Sequence, residues 1–207
     1  KEFPWLSYRN IEIGMCPVRA LRVAYTGELG WELHHPIEMQ NYLLDILLSS
    51  GKEFNLKLVG ARAQNWLRQE KSYKAFGSDL GRDAGPFESN LSRFVDINKN
   101  FLGKDALLKR KTDVSCVTLL IDGPKDIDPW GREALYNETE DSMLGRLTSA
   151  GYSVHFKRSI GIGYVKSSFS EVGTKLRIKI DDAFWDAEIV QDSPYDPQNE
   201  KIIDRTL

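Results

Sequence analysis

The segment YTGELGWEL, Tyr25 to Leu33, gathers two glycines, two acids and two aromatic residues into nine positions. Gly27 and Gly30 flank Glu28 and Leu29 and permit the positive φ values that a tight connection needs. Upstream, VRALRVAY (Val18 to Tyr25) puts Val18, Ala20 and Arg22 on one face of an extended chain and Arg19, Leu21, Val23 and Tyr25 on the other. Both faces are partly apolar, as in an inner strand. Downstream, Trp31 to His34 resumes the extended pattern. The reading is a β-hairpin whose second acid, Glu32, faces a small-molecule pocket.

Outward from the hairpin, Pro36 suits the first turn of a helix, and apolar residues from Ile37 to Leu48 recur at helical spacing until Ser49, Ser50 and Gly51 stop it. A second helix follows Gly60, carrying Arg62, Asn65, Trp66 and Gln69 on one face. SYKAFGSDLGRDAGP (72 to 86) reads as loop, and a short helix is expected at Gly103 to Arg110. From Asp113 the texture changes. VSCVTLLI, LGRLTSAGYSV, SIGIGYV, LRIKI and FWDAEIV, separated by Gly, Pro and Asp turns, predict five or six strands in a small antiparallel barrel or sandwich.

Composition removes several functions. With 28 Lys and Arg against 30 Asp and Glu, the net charge of −2 gives no long-range attraction to nucleic acid or an acidic membrane. No apolar run approaches the roughly 20 residues of a membrane span, and the opening residues lack a signal-peptide core, so a soluble intracellular protein is expected. Cys16 and Cys116 are far apart and read as reduced core residues. His34, His35 and His155 lack metal-ligand spacing, and no metal site is expected. Gly161 and Gly163 lack the third glycine and following helix of a nucleotide-binding turn, so they read as strand glycines at a barrel bend. The adjacent acids Asp181 and Asp182 read as a hairpin tip.

One constellation carries chemistry. A carboxylate, Glu32, beside Tyr25 and Trp31, with Arg62 brought by the second helix, suits a planar heterocycle bearing an anionic tail. A plain Glu32–Arg62 salt bridge, or two unrelated surface charges, fits the spacing equally. Glu28 is the competing acid, but it lies within the turn, where it would be solvated or bonded to nearby backbone N–H groups.

At these residues a family resemblance enters. YTGELGWEL (25 to 33), GARAQNWLRQEKSYKAFGSDL (60 to 80), PFESNLSRFVDINKNFLGKDAL (86 to 107) and GRLTSAGYSVHFKRSIGIGYV (145 to 165) resemble, in order and spacing, the glycine-cleavage aminomethyltransferase (T-protein) family. The GELGWEL variant and the closing SPYDPQNEKI (193 to 202) look most like the folate-binding C-terminal part of sarcosine and dimethylglycine dehydrogenases. The resemblance implies an α+β fold: residues 1–112 as the C-terminal portion of the folate-binding domain, its N-terminal half lying outside this chain, and residues 113–207 as the β-barrel domain. It implies tetrahydrofolate as ligand, with Glu32 at the pterin, Arg62 holding the ligand and Tyr25 as a pocket residue. A carboxylate can accept paired hydrogen bonds from the pterin's 2-amino and ring N–H edge, much as it accepts a guanidinium fork.

The implied reaction is transfer of a one-carbon unit from an N-methylated amine or aminomethyl donor to tetrahydrofolate, with FAD confined to an upstream flavin dehydrogenase domain. The implied location is the cytoplasm of a bacterium or the mitochondrial matrix of a eukaryote. The sequence also departs from the family. The catalytic aspartate belongs to the absent half, so no catalytic residue is assigned here and this stretch alone is expected to be inactive. Ala63 stands where the family's GARD ends in an acid. Arg93 and Glu200 replace aromatic residues, removing stacking surfaces each worth roughly 1–3 kcal/mol. These departures keep a second reading open, a non-catalytic regulatory or interaction module that retains the fold.

Overall fold

The structure is a computed structural model and describes residues 3–123 and 127–203. These fall into two compact units, one drawn from Lys1–Leu67 with Asp196–Leu207 and the other from Arg68–Tyr195.

In the first unit, β1 (Tyr8–Ile13), β2 (Cys16–Leu21) and β3 (Glu32–His34) form an antiparallel sheet with β2 in the centre. The alternation of β2 is clean: Cys16, Val18 and Ala20 are buried while Pro17 and Arg19 are exposed. Helix α1 (Gln40–Ser50), entered through a single 3-10 turn after Pro36, completes the core through Leu43, with Tyr42 and Leu47 packed alongside. Helix α2 (Ala61–Glu70) begins one residue after Gly60, as its sequence requires.

The hairpin forms, but with a longer connection than expected. β2 ends at Leu21, not Tyr25, and the chain returns only at Glu32, which pairs with Leu21. The cause is Arg22. Its guanidinium is buried and donates to the carbonyls of Phe3 at 2.8 Å and Ile202 at 3.2 Å, while the Val23 N–H turns back to the Leu21 carbonyl at 2.9 Å. A buried cation must find such acceptors, and Arg22 finds them where the pairing with β3 ends, its own backbone still bonded to Leu6 and Ser7. Tyr25 therefore lies in the connection and is half-buried, not on a strand. Of the two glycines, Gly27 uses a positive φ of 81°, whereas Gly30 does not.

The second unit is dominated by a closed barrel of β4 (Val114–Ile121), β5 (Ala134–Tyr136), β6 (Met143–Ser153), β7 (Arg158–Lys166), β8 (Lys175–Ile180) and β9 (Ala183–Val190). The strand order is β4-β7-β6-β5-β8-β9, and β9 pairs back to β4. Leu119 and Ile121, Leu147, Leu176 and Ile178, and Ile189 fill its interior. Asp181 and Asp182 are the two-residue tip between β8 and β9, as read. A short α3 (Lys104–Lys109) precedes the barrel, and α4 (Glu200–Ile203), not anticipated from sequence, belongs to the first unit. Edge strand β1 and short β5 were likewise not anticipated.

Part of β4, β6 and β7 is buried on the outer face too, because the 68–91 segment lies against it. Arg68 donates to the Tyr73 carbonyl at 2.8 Å and to Ser149 Oγ at 2.6 Å, and pairs with Asp79. Asp79 also accepts from Thr148 and Ser149, and its carbonyl accepts from the Tyr164 hydroxyl at 2.9 Å. Glu70 accepts from Ser153 Oγ and from the His155 N–H. Of the run that reads as loop, Ser72 and Asp79 are thus buried and hydrogen-bonded, while residues 76–78 and 81–83 stay exposed.

Candidate functional site

The register of the first sheet sorts its side chains. Tyr8 and Asn10 of β1, Arg19 and Leu21 of β2, and Glu32 and His34 of β3 share the face opposite the buried Cys16–Val18–Ala20 row. That face is open. Beside it lies a hollow of about 590 Å³ lined by Asn10, Pro17, Arg19, Leu21, His34 and Pro36, among others.

Glu32 stands at the end of this face. Its side chain is 54% exposed, and among the described residues its hydrogen-bonding partner is His34, with Oε2 3.4 Å from Nε2. A carboxylate so placed keeps lone pairs for a ligand. Trp31, next to it, packs 6.2 Å from the Phe3 ring, and the Arg22 guanidinium lies 4.9 Å from its centroid. Arg62 is on the first turn of α2, its guanidinium 5.3 Å from the Trp66 ring. Tyr25, Glu32 and Arg62 all belong to the first unit. Glu28 is exposed in the connection.

Arg19 escaped the sequence reading, where it was only one position of an alternating strand. Its Nε donates to Asn10 Oδ1 at 3.2 Å and its guanidinium lies 5.4 Å from the Tyr8 ring centroid. The missed signal was β1: until YRNIEI is recognised as a strand, nothing sets Tyr8 and Asn10 beside Arg19.

Elsewhere the groups with displaced ionisation are structural. Burial pushes the Cys116 thiol up to about 12, and burial likewise raises the Tyr164 phenol to about 12. For Glu88, burial opposes ionisation, but hydrogen bonds from its own backbone N–H and from Gly85, with the Arg110 guanidinium 2.5 Å away, outweigh it and hold the carboxyl below 4.5. Among the described residues no cluster of three or more His, Cys, Asp or Glu side chains could hold a metal ion. None of the described helices is long and apolar enough to cross a membrane.

Residues 1–99 match the model of the GCVT N-terminal domain, and residues 115–196 that of the glycine cleavage T-protein C-terminal barrel domain. The chain belongs to the glycine cleavage T-protein family. The family is, broadly, one of folate-dependent one-carbon transfer enzymes. A mitochondrial dimethylglycine dehydrogenase of Mus musculus is 36% identical over 92% of the chain and 22% of its own length. An aminomethyltransferase of Caldanaerobacter subterraneus is 31% identical over 84% of the chain and 46% of its own. The chain therefore spans about a fifth to a half of these relatives. In fold it is similar to the glycine cleavage system aminomethyltransferase T of Bartonella henselae, with a TM-score of 0.80, 22% identity, and coverage of 94% of this chain and 53% of that one. The T-protein resemblance read from the motifs, and the barrel that it implied, are both borne out.

Proposed function

We propose that the first unit of this T-protein family member binds tetrahydrofolate and serves transfer of a one-carbon unit from an N-methylated amine or aminomethyl donor, in an enzyme of the sarcosine or dimethylglycine dehydrogenase type. The observation that carries this reading is Glu32: a half-exposed carboxylate whose hydrogen-bonding partner among the described residues is His34, at 3.4 Å. Such a group fits the donor edge of a pterin, accepting from its 2-amino group and ring N–H. Arg62 holds the ligand by charge and Tyr25 contributes a wall of the pocket. Tetrahydrofolate, when bound, supplies the nitrogens that accept the one-carbon unit. The residues of this chain orient it, and no proton-transferring acid is assigned among them. FAD, in this reading, is held by a separate dehydrogenase domain.

A second reading is favoured by Ala63, Arg93 and Glu200, at positions where the motif resemblance implies an acid and two aromatic residues. Arg93 lies 4.8 Å over the Phe94 ring, so it occupies an aromatic neighbour itself. In that reading the unit is a non-catalytic regulatory or interaction module.

Titration calorimetry of the intact protein with tetrahydrofolate separates the two. The folate reading expects saturable binding that Glu32→Gln weakens about tenfold or more, because the amide replaces one acceptor by a donor. Absence of binding by the wild type would favour the module, and equal binding by the variant would move the site away from Glu32.

A further inference from the structure

Arg22 begins the connection that Glu32 ends, and it is buried, only 5% exposed. Stretches of the first unit that are far apart in sequence meet at its guanidinium. Nη1 donates to the Phe3 carbonyl at 2.8 Å and Nη2 to the Ile202 carbonyl of α4 at 3.2 Å, while the group lies 4.9 Å from the centroid of the Trp31 ring. The Phe3 ring in turn packs 6.2 Å from Trp31. The Arg22 backbone is pinned as well, its N–H donating to the Ser7 carbonyl at 2.9 Å and its carbonyl accepting from the Leu6 N–H at 3.1 Å.

The two ends of the connection are therefore closed rung by rung. Leu21 pairs with Glu32, the Arg22 guanidinium meets Trp31, and a Cβ on Gly30 would stand 3.0 Å from the Ala24 Cβ. Through Arg22 this stem is also tied to Phe3, 19 residues before it, and to α4, 180 residues after. A guanidinium can join all of these because its planar fork carries donors along its edges and offers a flat face to an aromatic ring.

We propose that Arg22 is a positioning residue for Glu32: by clamping Trp31 to Phe3 and α4, it fixes where β3 begins and so where the carboxylate stands. This rests on the reading of Glu32 as the acid that binds tetrahydrofolate. Without the clamp, the connection has to be ordered when the ligand binds, and that cost is taken from affinity.

Tetrahydrofolate binding by the intact protein is measured in a double-mutant cycle of Arg22→Met and Glu32→Gln. Arg22→Met is expected to weaken binding about tenfold when Glu32 is present, but less than about twofold in the Glu32→Gln background, because its effect passes through the carboxylate. A merely structural role would weaken both backgrounds alike. Arg22→Lys keeps the buried charge but offers Trp31 no planar face, and it takes the place of Arg22→Met in the cycle where circular dichroism melting shows the latter unfolded. Wild-type affinity in the Arg22 variant, or equal losses in both backgrounds, overturns the proposal and leaves the folate reading standing if Glu32→Gln still weakens binding. No binding by the wild type, or full affinity in Glu32→Gln, overturns both.

Discussion

The Arg68 guanidinium, near the end of α2, and the Asp79 carboxylate, in the stretch that reads as loop, form an ion pair with side chains only 2% and 0% exposed. Ser149 and Thr148 of the barrel share the same carboxylate. Asp79→Ala would leave the guanidinium buried without its counter-charge and take an acceptor from the Ala75 N–H and from the Thr148 and Ser149 hydroxyls. The expected loss is about 3–5 kcal/mol of folding stability, read by denaturant unfolding of the intact protein. A loss below about 1 kcal/mol would show that water reaches the pair.

Glu88 links stability to pH. Its folded carboxyl lies below its ordinary value of 4.5, despite the opposing effect of burial, because backbone N–H groups and Arg110 favour the anion. The folded state therefore releases this proton more readily than the unfolded chain does. Its contribution is fully present above about pH 4.5 and is lost as pH falls through the lower folded value. At pH 7, Glu88→Gln is expected to cost roughly 1–3 kcal/mol. The gap between wild type and variant should narrow as unfolding is followed from pH 6 towards pH 3, and a constant gap would contradict the assignment.

Cys116 is predicted to be chemically silent in the folded protein. With its thiol pushed up to about 12 by burial, only on the order of one molecule in ten thousand carries the reactive thiolate at pH 8. Cys16 is 0% exposed as well. Ellman's reagent should modify each thiol only at the rate at which the unit that holds it opens, Cys16 with the first and Cys116 with the second, and faster modification of either would contradict the assignment.

Two glycine substitutions should behave oppositely. A Cβ at Gly163 would lie 2.5 Å from the Arg146 carbonyl oxygen and 2.9 Å from the Leu147 Cα, both backbone atoms of the neighbouring strand. Gly163→Ala is therefore expected to cost about 1–3 kcal/mol. At Gly60, just before α2, nothing lies within 4 Å of such an atom, and Gly60→Ala is expected to be neutral or slightly stabilising. Thermal melting of the two variants tests the pair.

Both α1 and α2 were legible because one apolar or charged stripe at a period near 3.6 suffices to specify an amphipathic helix, and Pro36, Gly51 and Gly60 mark their ends. Five barrel strands were legible from short β-branched runs between turns. β1 was not, because YRNIEI carries only two strongly apolar residues and gains its conformation by pairing with β2. The end of β2 was misplaced for a related reason. Arg22 to Tyr25 keeps a strand-like composition, but the acceptors that take the Arg22 guanidinium come from Phe3 and, 180 residues away, Ile202.

The sequence by itself determined the family, the two kinds of architecture and Glu32 as the acid to watch, because motif order, periodicity and glycine placement are local properties of the chain. Only the tertiary structure decided that YTGELGWEL forms a long connection ending in a short strand, that Arg68, Glu70 and Asp79 are buried structural charges, and that Arg19 lies on the face that bears Glu32, bonded to Asn10. Whether a charge is spent on the protein or kept for a ligand depends on which distant groups fold against it, and that pairing is not written in the spacing of neighbouring residues.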